Sequence, residues 1–385
     1  MRQAIEVPAL LAEAVRREKT LLDLLATLVR TESPSENKAA VDACVALVER
    51  RCTEAGASTR RYRNKQHGDL LLARFGPPAR GRKPLMLLGH LDTVWPLGTL
   101  QNMPFQLRDG RAWGPGVLDM KAGVAMALTA LEILQTRQWF SRPVVLLLNS
   151  EEETGSEVSR PVTEKIASAS EAVFVLEPAQ GLEGAYKTAR KGVGTFRLQV
   201  RGVAAHSGLD FERGHSAILE LAHVIEKVAG FTDLKRGITV NTGVMAGGTR
   251  SNVVAAEAWA EVDLRIARRS DGTRIEKRFQ SLRTRDKQCV LTVEGGLNRP
   301  PMERTAGTVK LFRRAQAFVS QIGIALEEAS SGGGSDGNFT SALGVPTLDG
   351  MGAVGEGAHA AHESIVLEHL APRTALLAAM MANPG

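Results

Sequence analysis

The sequence predicts an α/β protein built on a mostly parallel sheet flanked by helices, with a smaller ferredoxin-like α+β domain inserted into it. Three observations carry this. Short apolar runs alternate with helix-period segments through the first half of the chain, the pattern of βαβ units. From about residue 187 the runs alternate strictly instead, in the order β-α-β-β-α-β, a split βαβ plan. Finally, 385 residues exceed what one hydrophobic core ordinarily organises, and helix-period segments return after about residue 300.

Residues 4–29 and 35–55 carry apolar side chains at three- and four-residue spacing and are expected to be helices. "SPSEN" (33–37) supplies the break between them and a cap. "DLLLARF" (69–75), "KPLMLLGH" (83–90), "RPVVLLLNS" (142–150) and "EAVFVLEP" (171–178) read as buried strands. "DMKAGVAMALTALEILQTR" (119–137) reads as a helix, small residues first and then leucines at helical spacing. In the second region "GTFRLQVRG" (194–202) alternates like a half-buried strand and "HSAILELAHVIEKVAG" (215–230) is an amphipathic helix. "ITVNTGVMAGG" and "AEAWAEVDLRIA" alternate again, "DGTRIEKRFQSLRTR" (271–285) is a polar helix, and "CVLTVEGG" closes the unit as a strand. Helices are expected once more at 306–324 and 366–382. The domains expected are therefore 1–186 and 299–385, two parts of the larger one, with 187–298 inserted between them.

Composition narrows the function. Hydrophobic content of 43% and charged content of 23% are those of a soluble globular protein, and no apolar stretch is long enough to span a bilayer. The opening "MRQAIEVPALLAEAVRREKT" is a poor signal peptide, since Glu13 and Arg16 break its short apolar run. Cys44, Cys52 and Cys289 lie far from ligand-like spacing and are expected as buried reduced thiols, which suits a cytoplasmic protein. The net charge is +6, but the basic residues sit in short pieces ("RRYRNK", "ARGRK", "RRSDGTRIEKR") without interleaved aromatics. No nucleic-acid or membrane partner is expected; solvated faces and some attraction for anionic substrates are.

Metal-capable side chains gather at the expected strand ends. "LLGHLDTVW" puts His90 and Asp92 there, and "GPGVLDMKAG" puts Asp119 at the start of a helix. Glu151, Glu152 and Glu153 close one strand, and Glu177 closes the next. Any one of these could be a helix cap or a solvated carboxylate. Ligand sites of open α/β sheets, however, collect beyond the carboxyl ends of strands, and four independent groups at one rim point to a metal site. Histidine and carboxylate ligands without cysteine suit Zn2+, or Co2+ and Mn2+. His90 and Asp92 sit two apart on a strand and so share a face, which lets a carboxylate stand behind a ligating imidazole. Glu152 and Glu153 are adjacent, so they point in different directions. One can bind metal while the other faces a bound water as general base.

The motifs "GHLDTV", "GPGVLDMKAG", "EEETGS", "EP", "GVAAHSG" and "GGGSDGNF" followed by "GAHAAHE" together resemble the di-zinc family of carboxypeptidases, dipeptidases and amino-acid deacylases. Within it the chain is most similar to the bacterial glutamate carboxypeptidases. The resemblance implies a zinc-dependent exopeptidase-like catalytic domain, with the inserted domain as lid and dimerisation domain, and two Zn2+ per subunit. His90 and Glu177 would hold one zinc, Glu153 and His359 the other, and Asp119 would bridge them across a cis peptide bond to Met120. Asp92 would orient His90, and Glu152 would be the base. "HAAHES" offers His362 as well, but the alignment with "GAH" favours His359. His206 would reach the active site of a partner subunit in a homodimer. Asn252 and Arg265 would grip the free α-carboxylate of the substrate, an anion that suits an arginine fork, and Arg299 would be a further anion-binding arginine at the hinge back into the larger domain. Gly333 and Gly334, in "SGGGSDGNF", would offer backbone N–H groups.

One departure bears on the substrate. Glutamate-specific members carry a lysine shortly after the "EP" glutamate, and that position is Ala185 here; Lys187 and Lys191 lie near without aligning. The activity expected is hydrolysis of an amide beside a free α-carboxylate in a small peptide or N-acyl amino acid. Release of a C-terminal glutamate or similar acidic residue from peptides, folates or N-acyl conjugates leads. An N-acyl amino-acid deacylase of the acetylornithine type and a dipeptidase are the alternatives. A zinc-binding protein that has lost catalysis is the non-enzyme reading, and Glu152 argues against it.

Overall fold

The computed structural model describes residues 5–78 and 81–383. Residue 4, where the first helix is expected to begin, and the first two residues of the basic run "ARGRK" lie outside them. The described chain forms two compact units. The first comprises 1–189, 304–331 and 335–385, and the second 190–303 and 332–334.

A six-stranded sheet organises the first unit. From edge to edge its strands are Ser58–Tyr62, Leu70–Phe75, Val144–Asn149, Leu85–His90, Ala172–Val175 and Thr347–Leu348. The first two pairings are antiparallel and the remaining three parallel, so the apolar runs read as parallel strands occupy the sheet centre. Period-two alternation sends their side chains to opposite faces. Leu85, Leu87, Val144, Leu146 and Leu148 join the larger core, with helices Lys38–Glu54, Ala122–Arg137 and Leu370–Ala382. Met86, Leu88, Val145 and Leu147 join a smaller core with helix Arg160–Ser168. Burying each such leucine or valine contributes about 1.5–3 kcal/mol, which is why these strands are apolar throughout. Cys44, Cys52 and Cys289 are free and buried.

Two expected helices are corrected. The single N-terminal helix is two, Val7–Arg16 and Glu18–Arg30, because the backbone at Arg17 (φ −100°, ψ 2°) leaves the helical region. The buried Glu13 carboxylate pairs with Arg16, Arg17 and Arg137 at this break. The expected helix 119–137 begins only at Ala122. Asp119 and Met120 have non-helical φ/ψ, and the bond between them is cis, as the resemblance implies. Gly123, the second residue of the helix, approaches the Leu176 carbonyl so closely that a Cβ would lie 2.1 Å from its oxygen. Only glycine lets this helix start against the strand end that leads to Glu177.

In the second unit the elements run Gly192–Arg201, helix Ala217–Ala229, Thr239–Gly247, Glu257–Ile266, helix Arg269–Gln280 and Val290–Arg299. That is the β-α-β-β-α-β order read from the sequence. In space the strands lie Thr239–Gly247, Glu257–Ile266, Gly192–Arg201, Val290–Arg299, each pair antiparallel. Phe196, Leu198, Val200, Ala260, Val262 and Leu264 face one side of the sheet, where Leu221, Val224, Ile275 and Phe279 of the two helices cover them. Phe279 stacks on Phe196 at 3.8 Å between ring centroids and meets Phe231 edge-on.

Candidate metal centre

The sheet brings His90, Asp92, Asp119, Glu152, Glu153, Glu177 and His359 together in the first unit. His90 is the last residue of its central strand. Glu152 and Glu153 open a short turn after the neighbouring strand Val144–Asn149, and Glu177 follows the strand on the other side. Asp119 enters from the loop before helix Ala122–Arg137. Its two oxygens face opposite ways. Oδ1 lies 3.2 Å from His90 Nε2, which is also 3.6 Å from Glu177 Oε1. Oδ2 lies 3.4 Å from His359 Nε2, which is 3.3 Å from Glu153 Oε2. Each imidazole thus sits between Asp119 and one further carboxylate. The Glu152 carboxylate lies within 4.8 Å of the ligand atoms of His90 and Glu177. His362, the other histidine of "HAAHES", is exposed.

Asp92 is buried and its carboxylate holds the turn that carries the glutamates. Oδ1 accepts from the Glu152 amide and Oδ2 from the Glu153 amide, both at 3.2 Å, while Ser35 Oγ donates to Oδ2 at 2.7 Å. His90 Nδ1 is 3.0 Å from the Asp92 backbone oxygen and 3.4 Å from its Oδ1, so the backbone carbonyl is the nearer partner of the imidazole. Glu151 turns away from the cluster. Its Oε1 accepts from the amides of Val158 and Ser159, ahead of helix Arg160–Ser168, and its Oε2 lies 3.5 Å from His67 Nε2.

Electrostatics describe a site short of positive charge. Hydrogen bonds to Asp119 and Glu153 push His359 up to about 10. Burial opposes protonation of His90, yet Asp119, Asp92 and Glu177 together raise it well above the ordinary histidine value. Burial raises Glu153, whose Oε1 is buried with no hydrogen-bond partner. A buried acceptor without a donor, beside imidazoles whose carboxylate neighbours favour a positive charge, fits a cation. The donors are imidazole nitrogen and carboxylate oxygen, the set that suits zinc and its neighbours.

The other candidate residues lie in the second unit. His206 is exposed, and its Nδ1 accepts from the Gly208 amide at 3.1 Å. The carbonyl of Asn252, also exposed, accepts from the Ser207 amide. The Arg265 guanidinium is forked on Asp263, with Nε 2.9 and 3.0 Å from its two oxygens and Nη2 2.8 Å from Oδ2. Two apart on one strand, that pair could have been read from the sequence. Arg299 is buried, with Nη1 3.2 Å from Asn298 Oδ1. Gly333 and Gly334 turn their carbonyls to Arg190 Nη1 at 3.3 and 3.1 Å.

Sequence reasoning passed over two residues of the first unit. Lys121 is buried, and its Nζ donates to the Thr31 carbonyl at 2.8 Å. Burial pushes its pKa down. Its place in "LDMKAG", beside Asp119, was the available signal. Glu363, in the same run as His359, is fully buried, and its carboxylate accepts from Trp95 Nε1 and from the amides of Gly116, Leu118 and Asp119. Only the short spacing to His359 hinted at it.

A parallel-centred sheet with this imidazole and carboxylate cluster at its strand ends defines a metal-dependent hydrolase. The chain belongs to the peptidase family M20/M25/M40, whose sequence profile matches residues 86–383; it is a metallopeptidase of that family. Carboxypeptidase G2 of Pseudomonas sp. (strain RS-16) is 28% identical over 310 residues, 78% of this chain and 74% of the relative. A succinyl-diaminopimelate desuccinylase of Stenotrophomonas maltophilia is 26% identical over 368 residues, 91% of this chain and 95% of the relative. Among solved structures, a tripeptidase from Staphylococcus aureus has the same fold, with a TM-score of 0.78 at 21% identity over 95% of this chain and 98% of its own. Among the described residues no helix is long and apolar enough to cross a membrane.

Proposed function

We propose that this protein is a di-zinc carboxypeptidase that hydrolyses an amide beside a free α-carboxylate, releasing C-terminal glutamate or a similar acidic residue. The observation that carries the two-metal reading is Asp119, whose oxygens each face a different imidazole–carboxylate pair. His90, Glu177 and Asp119 would hold one zinc, and His359, Glu153 and Asp119 the other. Bound zinc supplies Lewis acidity toward the scissile carbonyl and makes water more acidic. Glu152 takes a proton from the attacking water and returns it to the departing amine nitrogen, so that amide and water become carboxylate and amine. Asp92 fixes both glutamates through their amides. Asn252 and Arg265 are carried from the resemblance as the partners of the substrate α-carboxylate, and Arg299 as a further anion-binding arginine. For Arg265 this means exchanging Asp263 for the substrate, one carboxylate for another. A homodimer through the inserted domain, with His206 serving the partner subunit, and a cytoplasmic setting complete the proposal.

The carboxypeptidase reading leans on the likeness to carboxypeptidase G2. A deacylase is the second reading, favoured by two observations: the desuccinylase likeness spans more of the chain, and Ala185 stands where glutamate-specific members carry lysine. The test is to incubate zinc-loaded protein with folyl-glutamates, N-acyl amino acids and dipeptides and to identify the amino acid released. Glutamate from pteroyl or benzoyl conjugates is the expected product. Release only from N-succinyl or N-acetyl basic amino acids would replace the carboxypeptidase reading with the deacylase one, and no hydrolysis of any amide would remove both.

A further inference from the structure

Asp119 is presented by irregular backbone. The residues from Gly114 to Lys121 lie between the strand Arg111–Trp113 and helix Ala122–Arg137, and they include Gly116 at φ +68° and the non-helical Asp119 and Met120. No strand ladder satisfies the amides of Gly116, Leu118 and Asp119. All three point at one side chain, the fully buried Glu363. Its Oε2 accepts from Gly116 N and Trp95 Nε1, each at 2.8 Å, and its Oε1 accepts from Leu118 N at 2.8 Å and Asp119 N at 3.1 Å.

All four neighbours are donors, which matches an ionised carboxylate, an acceptor at both oxygens. The backbone is sewn to the same segment, for Gly114 N donates to the Glu363 carbonyl, and the residues beyond, Ser364 to Val366, pair antiparallel with Trp113 to Arg111. His359 lies four residues before Glu363 and faces Asp119 Oδ2. One short run therefore holds Asp119 by its side chain and by its amide.

We propose that Glu363 is a positioning residue for the metal centre: its carboxylate folds the 116–119 loop around itself and so fixes the direction in which Asp119 presents its two oxygens. The inference rests on the metal reading above and adds a residue that touches neither metal nor substrate. An interior hydrogen-bonding anion of this kind acts on affinity through the ligand it orients.

The test compares wild type, Glu363→Gln and, as a control for general destabilisation, Leu131→Ala in the buried helix Ala122–Arg137. Glutamine keeps the size but turns one acceptor oxygen into a donor facing N–H groups. Zinc affinity is measured by chelator competition and stability by melting the zinc-free proteins. Glu363→Gln should lose about 10- to 100-fold in zinc affinity, while Leu131→Ala lowers the melting temperature and leaves zinc affinity unchanged. Wild-type zinc affinity in Glu363→Gln, even with a lowered melting temperature, would overturn the proposal.

Amide hydrogen exchange in the zinc-free wild type keeps the question open to refutation should Glu363→Gln not fold. The amides of Gly116, Leu118 and Asp119 should exchange as slowly as the adjoining helix. Fast exchange at all three sinks the idea. If the wild type takes up no zinc, the metal reading fails, and the exchange result still decides whether Glu363 holds the loop.

Discussion

Replacing Asp92 by asparagine changes one atom and should disturb three functional groups. Oδ1 accepts the Glu152 amide at 3.2 Å and lies 3.4 Å from His90 Nδ1, while Oδ2 accepts the Glu153 amide at 3.2 Å and Ser35 Oγ at 2.7 Å. An asparagine can accept on one side only. Whichever way it turns, its NH2, itself fully buried, confronts a backbone N–H that has lost its acceptor. A hydrogen bond to a charged group contributes about 1.5–3 kcal/mol and a stranded buried donor costs about 1–3 kcal/mol. The zinc-free Asp92→Asn protein should therefore be less stable by about 3 kcal/mol in urea unfolding. The displaced turn carries Glu152 and Glu153 with it, so zinc affinity should fall about 10- to 100-fold, and kcat should fall further than the metal loss explains once saturating zinc is restored. Stability within about 0.5 kcal/mol of wild type, the range of an inconsequential surface change, together with unchanged zinc affinity, would refute the reasoning.

Three other outcomes separate the roles of neighbouring residues. Glu152→Gln should keep near-normal zinc content, checked by elemental analysis, and lose about 10²- to 10⁴-fold in kcat; retained activity at full zinc would remove Glu152 as the base. Glu153→Gln should lower the occupancy of one metal, and a stoichiometry equal to wild type would contradict its role as a ligand. Away from the site, the Arg304 guanidinium (Nε 2.8 Å, Nη2 2.7 Å) and the Thr188 hydroxyl (2.7 Å) hold Glu328 at about 2, below its ordinary 4.5. A carboxylate depressed in the folded state adds stability above its unfolded pKa, and that share is lost as pH falls toward the folded one. The deficit of Glu328→Gln against wild type should be present at pH 7 and shrink between pH 4.5 and about 2; a deficit independent of pH would show that the ion pair contributes nothing.

Much of the site was legible because its chemistry lies at element ends. A strand of four or more apolar residues followed by an acid or a histidine gives both the strand and the rim position, and His90, Glu152, Glu153 and Glu177 all follow that rule. The inserted unit was legible from alternation, since Phe196, Leu198 and Val200 fill one face while Arg197 and Gln199 lie between them. Asp119 was placed at the rim correctly and at a helix start incorrectly. Apolar periodicity runs smoothly through "DMKAGVAMAL", and neither the cis bond nor the delayed start at Ala122 leaves a trace in hydropathy. The break at Arg17 lacks glycine and proline, the usual signals of helix termination, and is seen only through the three arginines gathered on Glu13. Glu363 was out of reach for another reason: its partners are backbone amides some 245 residues away in sequence, and no side-chain pattern announces them.

The residues that build the centre without binding metal share one physical device. Functional carboxylates stand just beyond strand ends, where neither ladder nor helix satisfies the amides beneath them. Buried carboxylates take amides left open in this way: Asp92 those of Glu152 and Glu153, Glu363 that of Asp119, and Glu151 those of Val158 and Ser159 ahead of the next helix. The arrangement gives backbone precision at an irregular place, and it adds negative charge to a region already acidic. Lys121, engaged with the Thr31 carbonyl, is the basic group buried in the same region, although burial pushes its pKa down. The imbalance appears as raised pKa values on His90 and His359. The upward shifts on those imidazoles mark the two places where a cation is wanted, one on each side of Asp119. The three adjacent glutamates are tolerated for the same reason. Glu151 is spent on the helix that follows, and Glu152 and Glu153 part around a turn that Asp92 holds open toward that pair of positions.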